Sequence, residues 1–181
     1  LAQAECDFAY RESVFKQALK DKFIITEVLF ELPKQWQPVL NYGPLQSLDI
    51  NTVTAQQVFN KVIEIRQSKL PDPKVLANAG SFFKNPVVES IDYEGLKAEY
   101  PEIPGYKLDT GQVKIPAAWL IEQSGWKGKT FGAIGVHKHQ PLVLVNYGNG
   151  NGNALADLSM KIRKSITDKF GIELTPEVNF I

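Results

Sequence analysis

The chain has 181 residues, 44% of them hydrophobic and 22% charged, the composition of a folded protein with one good-sized domain or two small ones. Twenty basic residues balance twenty acidic ones, which argues against a surface built for nucleic acid or an anionic membrane. One cysteine, Cys6, excludes an intrachain disulfide framework and fits a reducing compartment, and with only His137 and His139 beside it no zinc site is expected.

In chain order, residues 6–15 carry a compact Tyr10-Arg11-Glu12-Ser13 cluster and read as a loop or strand end. Residues 23–32 (FIITEVLFEL), rich in β-branched and aromatic side chains and bounded by Pro33, predict a strand. Thr54 followed by Gln57 has the form of a capping box, and Val58, Val62 and Ile65 then share one helical face. Two prolines in Leu70-Pro71-Asp72-Pro73 stop that helix and mark the best linker.

Beyond the linker, Tyr93, Leu96 and Tyr100 are spaced for one face of a helix over 92–100. A proline-rich connection leads to a second helix from Pro116, which Gly125 ends. Residues 131–137 and 141–146 predict two strands, and YGNGNGN over 147–153 predicts a loop tolerant of positive φ. The last helix is expected over 154–170, with Leu155, Leu158, Ile162 and Ile166 inward and Gly171 ending it. The tail, 173–181, reads as strand. Helices and strands in irregular order predict an α+β fold, with no GxGxxG and no P-loop. No apolar run approaches the ~20 residues of a membrane span. A start on Leu1 and a strand-like end predict a fragment of a longer protein.

The stretch 78–86 (NAGSFFKNP) is chemically the most pointed. It sets the Ser81 hydroxyl between a glycine hinge and two phenylalanines, with Lys84 and Asn85 just beyond. Glycine permits close backbone approach or positive φ. The plainer reading is a turn followed by a short buried strand, and both stand on the motif alone. The basic stretch 127–139 (Lys127, Lys129, His137, Lys138, His139) either attracts phosphate or is a solvated face. Trp119 and Trp126 read as packing residues.

Taken together, CDFAYRESVF (6–15), KLPDPKVLANAGSFFKNPVV (69–88), IPAAWLIEQSGWKG (115–128), HKHQPLVLVNYG (137–148) and ELTPEV (173–178) resemble the C-terminal part of the UDP-N-acetylenolpyruvoylglucosamine reductases. VLNYG (39–43) resembles the tyrosine-bearing loop of one subgroup. The resemblance implies the end of a flavin-binding α+β domain over 1–70, a small α+β substrate-binding domain over 71–171, and a strand over 172–181 returning toward the flavin. It implies FAD and NADPH as cofactors, with the glycine-rich FAD segments lying before Leu1. UDP-N-acetylglucosamine enolpyruvate is the implied substrate and UDP-N-acetylmuramate the product. The implied setting is cytoplasmic peptidoglycan synthesis, and so cell wall biogenesis, cell shape and the cell division cycle. No protein partner and no metal are expected. Alone, the fragment is expected to be inactive. The alternatives are an isolated UDP-sugar-binding lobe without redox activity and an interaction domain with no small ligand.

The resemblance also implies roles. Reduction of an enol ether passes through an enolate-like species, so fixed positive charge aimed at the carboxylate should dominate the rate. Arg11 offers a permanent cationic fork for that purpose. Ser81 is the implied proton donor to C2, helped by Lys69 or Lys84. Glu177 is the third implied catalytic group; beside an anion it works as a protonated donor, which desolvation favours. Tyr42, Lys69, Asn85 and Gln140 are the implied nucleotide-sugar contacts, and Tyr10 the implied flavin or nicotinamide neighbour. Each alone reads equally as an ordinary packing or surface residue.

Overall fold

A computed structural model describes residues 1–180, in two units, Leu1–Ala55 and Gln56–Ile181. The first unit holds three short 3-10 helices, Gln3–Cys6, Val14–Lys16 and Gly43–Ser47, and no strand of two or more residues. Its buried apolar residues are Cys6, Leu40 and Leu45. The strand expected over 23–32 is absent: these residues are irregular and exposed, Leu29 to 92%. The β-branched and aromatic composition is present in the sequence, but a strand exists only as a partner of another strand, and within this unit the segment pairs with none.

The second unit is α+β. Helix α1 (Ala55–Lys69) starts directly after Thr54, as the capping pattern predicts, and ends before the two prolines. It buries no residue; Val58 and Ile65 are half-buried, while Phe59 is 60% exposed. Strand β1 (Ala77–Ser81) is followed by β2 (Val87–Val88), α2 (Ser90–Glu99), β3 (Tyr106–Lys107), β4 (Val113–Lys114) and α3 (Ala117–Gln123). Then come β5 (Thr130–Phe131), β6 (Ile134–Val136), β7 (Val143–Asn146) and α4 (Gly152–Phe170). The strands form two antiparallel sheets, one ordered β1-β7-β6-β5 and the other β2-β4-β3.

Helix α4 supplies the longest apolar face. Leu158, Ile162, Ile166 and Phe170 recur every four residues and are buried, with Leu155 packed at the edge. Its ends are chemically fixed. The Asn151 side chain accepts from the Ala154 N–H at 2.9 Å, and Gly171 takes φ 67 while donating to the Thr167 carbonyl. Opposite lie Leu120 and Ile121 of α3 with Ile115, Ile103 and Phe83, all essentially solvent-free. Helix α3 closes with a Schellman arrangement: Trp126 N–H reaches the Ile121 carbonyl at 3.1 Å and Gly125 N–H the Glu122 carbonyl at 2.8 Å. Trp126 then donates from Nε1 to Ser165 Oγ at 2.6 Å, and Trp119 lies 5.8 Å from the Phe170 ring, so both tryptophans pack the core.

Two departures concern the edges. The proline-rich connection before Pro116 contains β3 and β4, whose two-residue ladders are too short to carry a period. The tail forms a single antiparallel bridge, Phe83 with Pro176, instead of a regular strand; Ile181 lies outside the described residues.

Candidate functional site

The site grows from the irregular end of β1. Pairing with β7 runs Ala77 to Asn146 and Asn78 to Val145, then shifts so that Ser81 faces Val143. Gly80 sits at the shift with φ 72, a conformation that L side chains avoid. Asn78 stabilises it, accepting the Gly80 N–H at 2.9 Å while donating to the Leu76 carbonyl at 2.7 Å. A bulge of this kind re-aims the next side chain, here the half-buried Ser81.

After the bulge, Phe82 is hydrogen-bonded on both sides. Its N–H donates to the Leu142 carbonyl at 2.7 Å and its carbonyl accepts the Glu177 N–H at 2.8 Å. Lys84 N–H reaches the Thr175 carbonyl at 2.9 Å, completing the bridge around Phe83 and Pro176. The Phe83 ring is 1% exposed and 5.1 Å from the Phe82 ring. The two phenylalanines thus anchor the backbone between the sheet and the tail. Ser81, at the end of β1, and Glu177, in the tail, are 96 positions apart in sequence and come to adjacent backbone segments.

On the other flank, the turn joining β6 and β7 meets the same row. His137 N–H donates to the Val143 carbonyl at 2.9 Å, and Val143 N–H to the Gln140 carbonyl at 3.0 Å. The Gln140 N–H donates to Nδ1 of His137 at 3.2 Å. Burial holds the His137 imidazole below the ordinary histidine range, and the charges of His139 and Lys138 push the same way. An imidazole that accepts at Nδ1 carries its proton on Nε2. The sequence reading took His137 only as part of the basic stretch, because its acceptor role depends on a turn that the sequence does not display.

Asn85 has a second occupation. Its Oδ1 accepts the Ala117 N–H at 2.9 Å, so it closes the start of α3, whose own N-cap position is Pro116 and offers no side-chain acceptor. That leaves its amide NH2 as the group it can turn to a phosphate or sugar. Lys69 is the exposed last residue of α1. Within the basic stretch, Lys127 pairs with Glu122 at 2.6 Å and Lys129 lies 5.4 Å above the Trp126 ring, which ties both to the fold.

Tyr10, Arg11 and Tyr42 belong to the first unit. Arg11 has φ 58 on a tight turn closed by the Ala9 and Glu12 bridge. Its guanidinium lies 5.7 Å from the Tyr10 ring and its carbonyl accepts from Lys16 Nζ at 2.8 Å. Tyr42 precedes the Gly43–Ser47 helix and its carbonyl accepts the Leu45 N–H at 2.7 Å. Tyr10 and Arg11 stand exposed on a turn, and the unit's buried apolar residues are Cys6, Leu40 and Leu45. Among the described residues no cluster of three or more His, Cys, Asp or Glu is placed to hold a metal, and no helix is long and apolar enough to cross a membrane.

Comparison with known proteins gives a consistent result. Residues 72–181 match the family described as UDP-N-acetylenolpyruvoylglucosamine reductase, C-terminal domain. Proteins named UDP-N-acetylenolpyruvoylglucosamine reductase are similar over nearly the whole chain. The one from Shewanella sp. (strain ANA-3) is 50% identical over 96% of the chain, and the one from Flavobacterium johnsoniae 49% over 98%. That of Escherichia coli (strain K12) is 48% identical over 100% of the chain. The chain spans about half the length of these relatives, 51%, 54% and 53% in turn.

Proposed function

We propose a function from one premise: the chain belongs to the UDP-N-acetylenolpyruvoylglucosamine reductase family. It serves as the C-terminal portion of a cytoplasmic oxidoreductase of peptidoglycan synthesis, converting UDP-N-acetylglucosamine enolpyruvate to UDP-N-acetylmuramate. FAD and NADPH are the redox partners of that reaction. The chain spans about half the length of its relatives, so the reading takes the flavin to be held largely by the rest of the longer protein, and the chain alone to be a colourless, inactive nucleotide-sugar lobe. In domain terms, 1–70 completes the flavin-binding domain, 71–171 is the substrate domain and 172–181 returns toward the flavin.

The observation that supports the reading is the double hydrogen bonding of Phe82, which brings the end of β1 at Ser81 beside the tail at Glu177. In this assignment the enolpyruvyl carboxylate takes up negative charge and Arg11 stabilises it. Ser81 donates the proton to C2, a step worth ~10²–10⁴-fold when a positioned acid performs it. Glu177 completes the hydrogen-bonding around the same group. Tyr42, Lys69, Asn85 and Gln140 hold the nucleotide sugar, and Tyr10 lines the redox side.

The test is substrate-dependent NADPH oxidation by a full-length protein carrying this chain, set beside the visible spectrum of the 181-residue chain purified alone. Activity in the former and no flavin absorbance in the latter support the reading. A yellow isolated chain contradicts the assignment of the flavin, and a full-length protein that binds FAD yet ignores the enolpyruvyl sugar contradicts the function.

A further inference from the structure

We propose that His137 is the positioning residue of the Gln140 turn, its neutral Nδ1 holding the Gln140 main chain in the orientation that presents the Gln140 side chain to a nucleotide sugar. The ligand class rests on the function proposed above; the positioning itself rests on geometry alone. Three hydrogen bonds close this turn: His137 N–H to the Val143 carbonyl, Val143 N–H to the Gln140 carbonyl, and Gln140 N–H to His137 Nδ1. Only the last depends on protonation, since imidazolium has no acceptor at Nδ1. A proton there sets two donors against each other and frees the one residue whose amide the ring restrains. The turn is coupled to the Ser81 row, because Val143 pairs with Ser81 and the Leu142 carbonyl holds the Phe82 N–H.

The surroundings favour the neutral ring. Strands β1, β5, β6 and β7 carry no titratable side chain. In the turn itself the charged or titratable neighbours are Lys138 and His139, the latter ring lying 5.8 Å away edge-on. The loop before β5, which approaches Lys138 at Gly128, adds Lys127 and Lys129. The segments across the row add Lys84 and, beyond it, Glu177. Lys127 is offset by its pairing with Glu122, so the cations that act on the ring are Lys138 and His139, and the bland alternative, a ring that only fills space, needs no tautomer at all.

Nitrogen-15 NMR of the 181-residue chain separates these. With pH lowered, the Gln140 amide shift should follow the same midpoint as the His137 ring protons, and this should vanish in His137→Asn, whose Oδ1 accepts without titrating. A Gln140 amide indifferent to the His137 titration overturns the proposal. With UDP-N-acetylglucosamine as probe, His137→Phe should weaken binding about tenfold, the scale of one lost hydrogen bond at a held group. His137→Asn should restore it. Equal affinities in Phe and Asn variants also overturn the proposal. Should the probe bind neither wild type nor variant while the amide still titrates with the ring, the ligand reading fails and the positioning stands. A His137→Phe chain that fails to fold leaves the amide titration of wild type and His137→Asn to decide.

Discussion

The main-chain N–H of Glu177 donates to the carbonyl of Phe82 at 2.8 Å, one residue past Ser81. Backbone atoms alone make this link, so the side chain of Glu177 can be changed without cutting it. Glu177→Gln should leave the chain folded, as far-ultraviolet circular dichroism reads it. In a full-length reductase carrying this chain it should lower turnover by roughly 10²-fold, the scale of a removed transition-state donor. Equal turnover in both proteins removes Glu177 from the chemistry.

Asn85→Ala leaves the Ala117 N–H without its acceptor at the start of α3. The expected loss is about 1 kcal/mol, as for other helix N-terminal side-chain acceptors. Asn85→Asp restores an acceptor and should recover most of the stability while placing an anion where a phosphate would sit. Chemical denaturation of the three chains is the check, and an Ala variant as stable as wild type shows the bond to be idle.

Gly80 and Gly150 resist substitution for different reasons. A Cβ at Gly80 meets open space, but φ 72 is costly for alanine, so Gly80→Ala should destabilise by about 1–2 kcal/mol and misdirect Ser81. At Gly150 a Cβ would collide with Ile134 Cγ2 and lie 2.9 Å from Asn146 Oδ1, an overpacking worth about 1–3 kcal/mol. Calorimetric melting of both variants tests this. Only Gly80→Ala should also shift the Ser81 amide and leave Ile134 methyl signals in place.

Burial depresses the His137 pKa in the folded chain relative to its ordinary value of 6.5, so the unfolded chain binds the extra proton first as pH falls. The contribution of the neutral ring is complete above about 6.5 and is lost as pH drops through the folded value. Urea midpoints on either side of that window should therefore fall more for wild type than for His137→Asn. Parallel pH profiles would remove the linkage.

How far the sequence carries can be judged from particular elements. Helix α4 is legible because a four-residue apolar recurrence runs from Leu158 to Phe170 and Gly171 marks its end, while the Asn151 cap, which starts it at Gly152, is not read in advance. Helix α3 is legible through Gly125. Residues 23–32 mislead because a strand pattern states only what the segment would do beside a partner. The β2-β4-β3 sheet escapes detection because two residues hold no period. At the site, the sequence singles out Ser81 and its glycine, yet the bulge, the two-sided hydrogen bonding of Phe82 and the His137 acceptor all depend on segments distant in the chain. Asn85 shows the same limit: its partner, Ala117, lies 32 residues away.

The central claim is that Ser81 delivers a proton to the substrate's C2 within this family's fold. The direct measurement is rapid-mixing absorbance of the bound flavin in a full-length reductase carrying this chain, wild type against Ser81→Ala, with each half-reaction followed separately. Reduction by NADPH should be unchanged and reoxidation by UDP-N-acetylglucosamine enolpyruvate slower by ~10²–10⁴-fold. Reoxidation at the wild-type rate in Ser81→Ala would contradict the account.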